Sequence, residues 1–244
     1  ECADIIENKI IGIQQADLKK RLSLNDKFDE DHMNYDVLDK RGHVEIPTEY
    51  HKILSDFSMG YINYNEVLDS MDEDHKEMIV KSVVNDKNII EQLVAYRHNF
   101  HYISHRTGHD GIDLDNKVYE VKNSSYKKSK DRYQLNIIFD RLSENTLRKL
   151  DEGRPTIILN STDGYKLLLE MKLEFTDELI NVYKQKMLSI RNKSTSGASI
   201  SFCDYSHAIR EITYVCEDFD NYNFSIELTK YLNECTGMEY NTSR

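Results

Sequence analysis

The pattern of hydrophobic and polar positions changes its period near residue 108. Before this point apolar residues recur at helical spacing, beginning with the isoleucine-rich stretch 5–13. The stretch 46–71 predicts two short helices around a turn at Gly60, and the stretch 76–105 predicts a further helix with one apolar face. The first part of the chain is therefore expected to be helical.

After residue 108, β-forming residues predict a hairpin. The stretches 112–114 and 118–121, which are rich in β-forming residues, flank Asp115-Asn116, a pair suited to a tight turn. The elements predicted beyond it are strands at 134–139, 156–160 and 166–175, helices at 143–150 and 177–187, and, within the tail 191–244, two strands and a final amphipathic helix.

This order predicts an α/β protein in which helices flank a mixed central β-sheet. We expect residues 1–75 to form an N-terminal helical region for dimerisation or DNA contact. Residues 76–244 are expected to form the core together with a C-terminal extension. No apolar run approaches the roughly 20 residues that span a bilayer. The residues at the start do not form a signal peptide, so a cytoplasmic, intracellular protein without membrane contact is expected.

The cysteine spacing and the net charge argue against some classes of protein. The four cysteines form no C-x-x-C pair, which argues against a zinc ribbon or a redox motif. The net charge of −11 argues against a protein covered by nucleic acid, although a local basic surface is compatible with that sum.

The hairpin carries the candidate chemistry. Glu120 and Lys122 are two residues apart, so on a strand they share one face, whereas Val121 points to the other. An acid from the partner strand would complete a Mg²⁺ site, because Mg²⁺ usually takes one or two carboxylates, waters and substrate phosphate. The ammonium group would hold or deprotonate the attacking water, as in a phosphodiester hydrolase.

Two aspartates compete for the position on the partner strand. A two-residue turn would pair Asp113 with Val118 and place Asp113 on the face of Glu120. A three-residue turn that includes Lys117 would instead pair Asp110 with Lys122. The residues alone leave this choice open.

The spacing of Asp110, nine intervening residues and Glu120-Val121-Lys122 resembles the PD-(D/E)XK nuclease superfamily, which includes many type II restriction endonucleases. The likeness covers roughly residues 86–160, although no proline precedes Asp110. It implies that Asp110, with Asp113 as second choice, and Glu120 bind the metal. It further implies that Lys122 positions the water and that Glu91 is a helix carboxylate of the site.

The same resemblance implies a function. The protein would be an endonuclease that hydrolyses DNA phosphodiester bonds with Mg²⁺, for which Mn²⁺ can substitute. A sequence-specific type II restriction enzyme of a restriction-modification system is the expected setting. Its partner would be double-stranded DNA, and a homodimer would supply one active site for each strand of a palindromic site.

Two polar segments are candidates for DNA contact. After the hairpin, a basic run with interleaved tyrosines comprises Lys127, Lys128, Lys130 and Arg132, and the loop 191–197 begins with Arg191, Asn192 and Lys193. The alternatives are a solvated loop for the first segment and a flexible linker for the second.

A second E-x-K tripeptide provides a comparison within the chain. Glu170-Met171-Lys172 has Asp163 upstream, but Leu173 continues its strand in the style of a buried strand, whereas a polar run follows Lys122. We therefore assign the site to the first copy. In the structural alternative for that copy, Glu120 and Lys122 only pair across a solvated strand face.

Two other functions compete. In the segment 98–110, the histidines are spaced three, four and four apart and end in a His109-Asp110 dipeptide, which would fit an HD-type metal phosphohydrolase if one helix ran through them. Thr107-Gly108 should end such a helix. For His98 and His101 an exposed helix face is expected, and for His105 a place near the metal. The other alternative, a non-catalytic nuclease-fold binding module, is disfavoured by the three intact charged residues.

Overall fold

The structure is a computed structural model that describes residues 46–72, 87–103, 109–128, 132–139, 144–190 and 198–240. The chain divides into two compact units, Glu1–Gly42 and His43–Arg244, and all described residues belong to the second. The predicted N-terminal helix around residues 5–13 lies outside the described residues.

Two helices precede the sheet, as predicted around Gly60. Helix α1 spans Thr48–Ser58 and helix α2 spans Tyr64–Ser70, and Gly60 between them has a φ of 78°. Asn63 caps α2 by accepting hydrogen bonds from two backbone N–H groups of its first turn. The buried faces of both helices pack against the next helix in one apolar cluster whose members include Leu54, Phe57, Val67, Ile89 and Leu93.

Helix α3 spans Lys87–Arg97 and ends earlier than the sequence pattern predicts. Asn99 adopts a left-handed conformation with φ 52°, and Phe100 N–H donates to Ala95 O at 3.0 Å, which closes the helix. Phe100 then stacks on Tyr119 with ring centroids 4.4 Å apart. The predicted continuation of the helix to residue 105 is thus wrong from His98 to Ile103, and residues 104–108 are not described.

A mixed six-stranded sheet lies at the centre of the described residues. Its strands are β1 His101–Tyr102, β2 Gly111–Ile112, β3 Val118–Ser125, β5 Thr156–Asp163, β6 Lys166–Glu174 and β8 Ile209–Val215. They lie in the order β1-β2-β3-β5-β6-β8, with β3 and β5 parallel and every other neighbouring pair antiparallel. The predicted strand at 134–139 is only β4, Ile137–Phe139, and it pairs with β7, Ala198–Ile200, in a separate two-stranded sheet.

Helices cover both faces of the sheet, as the sequence predicts. Ile157, Leu159 and Met171 belong to the main core, which also contains buried residues of α4, Glu144–Gly153, and of α5, Asp177–Ile190. On the other face, Val121 and Ile158 pack with residues of α3. Within the described residues two further α-helices follow, α6, Phe202–Tyr205, and α7, Ile226–Thr236. Among the described helices, none is both long enough and apolar enough to cross a membrane.

Candidate active site

The turn between β2 and β3 sets which aspartate meets Glu120. Its loop is 114–116, closed by a hydrogen bond from Asp113 N–H to Lys117 O at 3.1 Å. Asp113 Oδ1 also accepts the N–H groups of Asp115 and Lys117, both at 2.9 Å, and Asn116 is left-handed with φ 63°. Both predicted registers are therefore wrong, because the carboxylate of Asp113 and the left-handed Asn116 fix the loop one residue earlier.

This register places Asp110 beside Glu120. Gly111 pairs with Tyr119, and Asp110, directly before Gly111, donates its N–H to Tyr119 O at 3.0 Å, so Asp110 lies at the end of the hairpin next to the Tyr119–Glu120 peptide of β3. Asp110 Oδ2 accepts the N–H of Val121 at 2.6 Å. By contrast, Asp113 Oδ2 accepts a hydrogen bond from the hydroxyl of Tyr119 at 2.9 Å, so the carboxylate of Asp113 stabilises the turn.

Glu120 and Lys122 form a close pair within the fold. Lys122 Nζ lies 2.5 Å from Glu120 Oε1, and the two side chains are 22% and 10% exposed. The ammonium group also lies 4.5 Å from the ring centroid of Phe139. The two residues do pair, as the structural alternative assumes, but the pair is largely shielded from water and not solvated on a strand face.

The charges in this cluster perturb one another. Burial, followed by the negative charges of Glu120 and Glu91, raises the pKa of Asp110 to about 8, although Lys122 opposes the shift. For Glu120, burial raises the pKa, but the neighbouring His109 ring and Lys122 outweigh it, and the net pKa lies below the usual range. Burial lowers the pKa of Lys122, but Glu120 and Asp110 outweigh it and hold that pKa above its usual value. Lys122 is therefore a cation among carboxylates.

Glu91 contributes a third carboxylate from helix α3. Its Oε2 accepts the hydroxyl of Tyr102 at 3.3 Å. Its charge raises the pKa of both Asp110 and Lys122, so it lies within electrostatic reach of the pair on the hairpin. The helix and the two strands of the hairpin thus contribute acids to one region.

His109 is a residue of this region to which sequence reasoning assigned no role beyond the His-Asp dipeptide. Its Nδ1 lies 3.7 Å from Glu120 Oε2. Against the opposite side of the ring lies Gly153 at the end of α4, where an added Cβ would lie only 2.9 Å from His109 Nε2. The signal in the sequence was its position directly before Asp110, but the approach of Gly153 depends on tertiary packing.

The other histidines do not form the helical stack that an HD-type site needs. Helix α3 ends at Arg97, His101 is exposed on β1, and His105 lies outside the described residues. His98 is not on an exposed helix face as predicted, because its side chain is only 12% exposed and its Nε2 lies 2.9 Å from Glu170 Oε1. The regular spacing of the histidines would align them only on a continuous helix, and α3 ends at Arg97, before the first of them.

The second E-x-K tripeptide serves a different purpose. Glu170 Oε2 accepts from Arg97 Nη2 at 2.5 Å, and Oε1 accepts from Thr213 Oγ1 at 3.1 Å. Burial raises the pKa of Glu170, but Arg97 and His98 outweigh it and lower that pKa to about 2. Lys172 instead lies 4.0 Å from Glu211. Glu170 therefore anchors the end of α3 to the sheet.

The donor set near the hairpin fits an oxygen-preferring cation. Among the described residues, no three His, Cys, Asp or Glu side chains are arranged to hold a metal ion as they stand. Asp110 and Glu120 nevertheless provide two adjacent carboxylates, and Mg²⁺ commonly takes only one or two such ligands, with water and substrate phosphate completing its shell. Burial and the neighbouring negative charges raise the pKa of Asp110, and the positive charge of a divalent cation would oppose this shift.

Only part of the predicted DNA-contact surface lies within the described residues. Lys127 and Lys128 are exposed, and Arg132 is half-buried. The adjacent tyrosines, Tyr126 and Tyr133, pack together with ring centroids 5.1 Å apart. The remaining predicted contacts, Lys130, Arg191, Asn192 and Lys193, lie outside the described residues.

No protein-family model and no curated protein matches the chain. Inferences about its activity therefore depend on the arrangement of Asp110, Glu120 and Lys122, on their surroundings, and on the resemblance in residue spacing described above.

Proposed function

We propose that the protein is a Mg²⁺-dependent endonuclease that hydrolyses phosphodiester bonds of double-stranded DNA. The observation that carries this proposal is the register of the hairpin, which brings Asp110 beside Glu120 while Lys122 Nζ lies 2.5 Å from Glu120. Two carboxylates and an ammonium group in one shielded volume are the groups that metal-assisted phosphodiester hydrolysis uses.

Asp110 and Glu120 are the residues that would hold Mg²⁺, with Mn²⁺ as a substitute. A bound divalent cation would supply positive charge that stabilises the phosphate oxygens and lowers the pKa of bound water. Glu91 adds negative charge from α3, as its effect on the pKa of Asp110 indicates. This negative field favours uptake of a divalent cation.

Lys122 would act as a charged hydrogen-bond donor. Because Glu120 and Asp110 hold its pKa above the usual value, it is poorly suited to remove a proton from water. Its three N–H donors can instead orient the attacking water and stabilise negative charge that develops on the phosphate. Phe139 beside the ammonium group limits its movement.

Within the α/β class, we propose that the fold has a core like that of the restriction endonucleases. It is supported by the order of helix α3, hairpin β2–β3, strand β4 and helix α4, which is the order that the resemblance implies. A sequence-specific type II restriction enzyme that acts as a homodimer is the corresponding biological proposal. A single light-scattering peak at the monomer mass, both with and without DNA, would contradict the dimer.

The proposed activity is tested by cleavage of mixed-sequence duplex DNA in Mg²⁺. We expect discrete fragments from the intact protein and from Lys172→Ala, which alters the second E-x-K tripeptide. Lys122→Ala and Glu120→Gln should cut slower by roughly a hundredfold or more. Far-ultraviolet circular dichroism of each variant verifies folding. If the intact protein leaves DNA uncut in Mg²⁺ and Mn²⁺, or Lys122→Ala cuts at the normal rate, the proposal fails.

A further inference from the structure

Tyr183 carries a buried hydroxyl group that has no hydrogen-bond partner among the described residues. The residue lies on α5 and is 0% exposed. Tyr205 in the same core is equally buried, but its hydroxyl donates to Leu135 O at 2.8 Å. A buried hydroxyl without a partner destabilises a fold, and a phenylalanine would fill the same space without this cost. The hydroxyl of Tyr183 therefore calls for an explanation other than stability.

Tyr183 packs against the face of the sheet that carries the candidate active site. Glu120 aligns with Ile157 of β5, and residues aligned in this way share a face. Lys122 aligns with Leu159 on the same face. Ile157 and Leu159 belong to the main core, as does Tyr183. The side chains of Glu120 and Lys122 thus border the core in which this hydroxyl lies.

Phe139 of β4 contacts both Lys122 and Tyr183. The ammonium group of Lys122 lies 4.5 Å from the ring centroid of Phe139, and the ring of Tyr183 lies 5.0 Å from that centroid at an interplanar angle of 90°. Burial raises the pKa of Tyr183 well above the usual value, and the charges of Tyr205 and Glu120 add to the shift. The hydroxyl therefore stays protonated at neutral pH, as a donor within electrostatic reach of Glu120.

Glu120 needs another donor once Lys122 turns to the substrate. Its Oε1 accepts from Lys122 in this structure. In the proposed reaction the donors of Lys122 turn to the attacking water and the phosphate. Glu120 then lacks this donor in a volume shielded from water, where an unpaired carboxylate oxygen is costly.

We propose that Tyr183 is a positioning residue of the nuclease site, and that its hydroxyl donates a hydrogen bond to the carboxylate of Glu120 when Lys122 turns to water and phosphate. This inference rests on the proposed function. The hydrogen bond gives the hydroxyl of Tyr183 its partner and holds Glu120 in place as a metal ligand. Only the resting protein bears the cost of the unpaired hydroxyl.

The first test measures thermal unfolding in chelator, without DNA. Lys122→Met removes the donor of Glu120 and thereby mimics a lysine that has turned away. In the intact background Tyr183→Phe should raise the Tm or leave it unchanged. In the Lys122→Met background it should lower the Tm by about 2 to 4 °C, because the hydrogen bond to Glu120 is then lost. Tyr205→Phe, the matched control, should lower the Tm by a similar amount in both backgrounds. Equal effects of Tyr183→Phe in the two backgrounds would overturn the proposal.

The second test uses proteins that retain Lys122 and measures single-turnover cleavage of duplex DNA at saturating Mg²⁺. Tyr183→Phe should cleave about tenfold slower although its Tm is not lowered, which a merely structural role would not produce. Tyr205→Phe should cleave at the normal rate although it is less stable. A normal rate for Tyr183→Phe would refute its positioning role alone and leave the proposed function standing. If the intact protein cuts no DNA, the proposed function fails, and the positioning role fails with it.

Discussion

Glu120 and Glu170 lie on opposite faces of the same sheet, although each begins an E-x-K tripeptide on its strand. Glu120 aligns with Ile157 on β5, whereas Glu170 aligns with Asn160, three residues further along that strand. Three residues along a strand reverse the face. Glu120 therefore meets Lys122, while Glu170 meets Arg97 from α3.

This arrangement predicts that Glu170 stabilises the fold and takes no part in the chemistry. Glu170→Gln should lower the free energy of unfolding by about 3 to 5 kcal/mol, because it leaves the shielded guanidinium of Arg97 without its counter-charge. Urea unfolding at neutral pH measures the change. In the matched control, Asp56→Asn removes the partner of the exposed Lys52 and should cost less than about 1 kcal/mol. Equal losses in both variants would contradict the assignment.

The same carboxylate should make stability depend on pH under acid conditions. The pKa of Glu170 is about 2 in the folded protein against an ordinary value of 4.5. Above 4.5 its contribution is fully present, on the order of 3 kcal/mol, and it is lost as pH falls from 4.5 towards 2, since protonation then favours the unfolded chain. Urea unfolding from pH 6 to pH 2 should therefore show the difference between the intact protein and Glu170→Gln narrowing. A constant difference would refute this cause.

Asp110 shows the opposite linkage. Its pKa is raised to about 8 from 3.8, so between these values the folded protein holds a proton that the unfolded chain has lost, and metal-free stability falls as pH rises. Asp110→Asn removes this cost and should raise the free energy of unfolding at pH 8 by roughly 1 to 3 kcal/mol. The measurement is thermal or urea unfolding in chelator.

A metal titration completes that prediction. Adding Mg²⁺ or Mn²⁺ should stabilise the intact protein, because an ion that binds only the folded state shifts unfolding by mass action, and should have little effect on Asp110→Asn. DNA cleavage by the variant should be lost although it is the more stable protein. If Asp110→Asn is less stable than the intact protein at pH 8, or if metal stabilises both proteins equally, then Asp110 is not a metal ligand whose charge destabilises the metal-free protein.

Local signals predicted most elements of the fold. The buried strands β5 and β6 and the helices α4 and α5 carry apolar patterns long enough to identify, and all four are present within a few residues of the predicted bounds. The exact hairpin register was not predictable from the turn pair alone, because the side chain of Asp113 decides it by accepting two backbone N–H groups. The end of α3 was missed because it depends on a left-handed Asn99 and on Phe100 packing against Tyr119.

The candidate site likewise contains residues that the sequence could predict and residues whose roles depend on tertiary contacts. Strand spacing in the sequence identified Glu120 and Lys122, whereas the choice of Asp110 over Asp113 and the naming of Glu91 came from the resemblance to the PD-(D/E)XK nucleases. The ring of His109 could not be assigned, because its surroundings come from Gly153, which lies 44 residues later in the chain. Likewise, the role of Glu170 depends on an ion pair with Arg97 that spans 73 residues.

The exposed lysines after β3 should bind the DNA backbone without taking part in catalysis. Tyr126 N–H donates to Thr162 O at 2.6 Å, which extends the pairing of β3 with β5 and fixes the start of this segment. Lys127 and Lys128 follow directly and are exposed, at a distance of roughly 15 to 20 Å from Lys122 if the chain continues extended. That separation would let them meet phosphates a few base pairs from the scissile bond.

We expect the double variant Lys127→Ala, Lys128→Ala to bind duplex DNA more weakly and to lose about one to two from the slope of log affinity against log salt, since each phosphate contact contributes about 0.9. Cleavage at saturating DNA should stay near the normal rate, because Glu120 and Lys122 are untouched. Fluorescence anisotropy across a salt series measures the slope, with Lys230→Ala on the exposed face of α7 as the control for lost positive charge. An unchanged slope, or an equal decrease of the slope in Lys230→Ala, would show that Lys127 and Lys128 do not contact the DNA backbone.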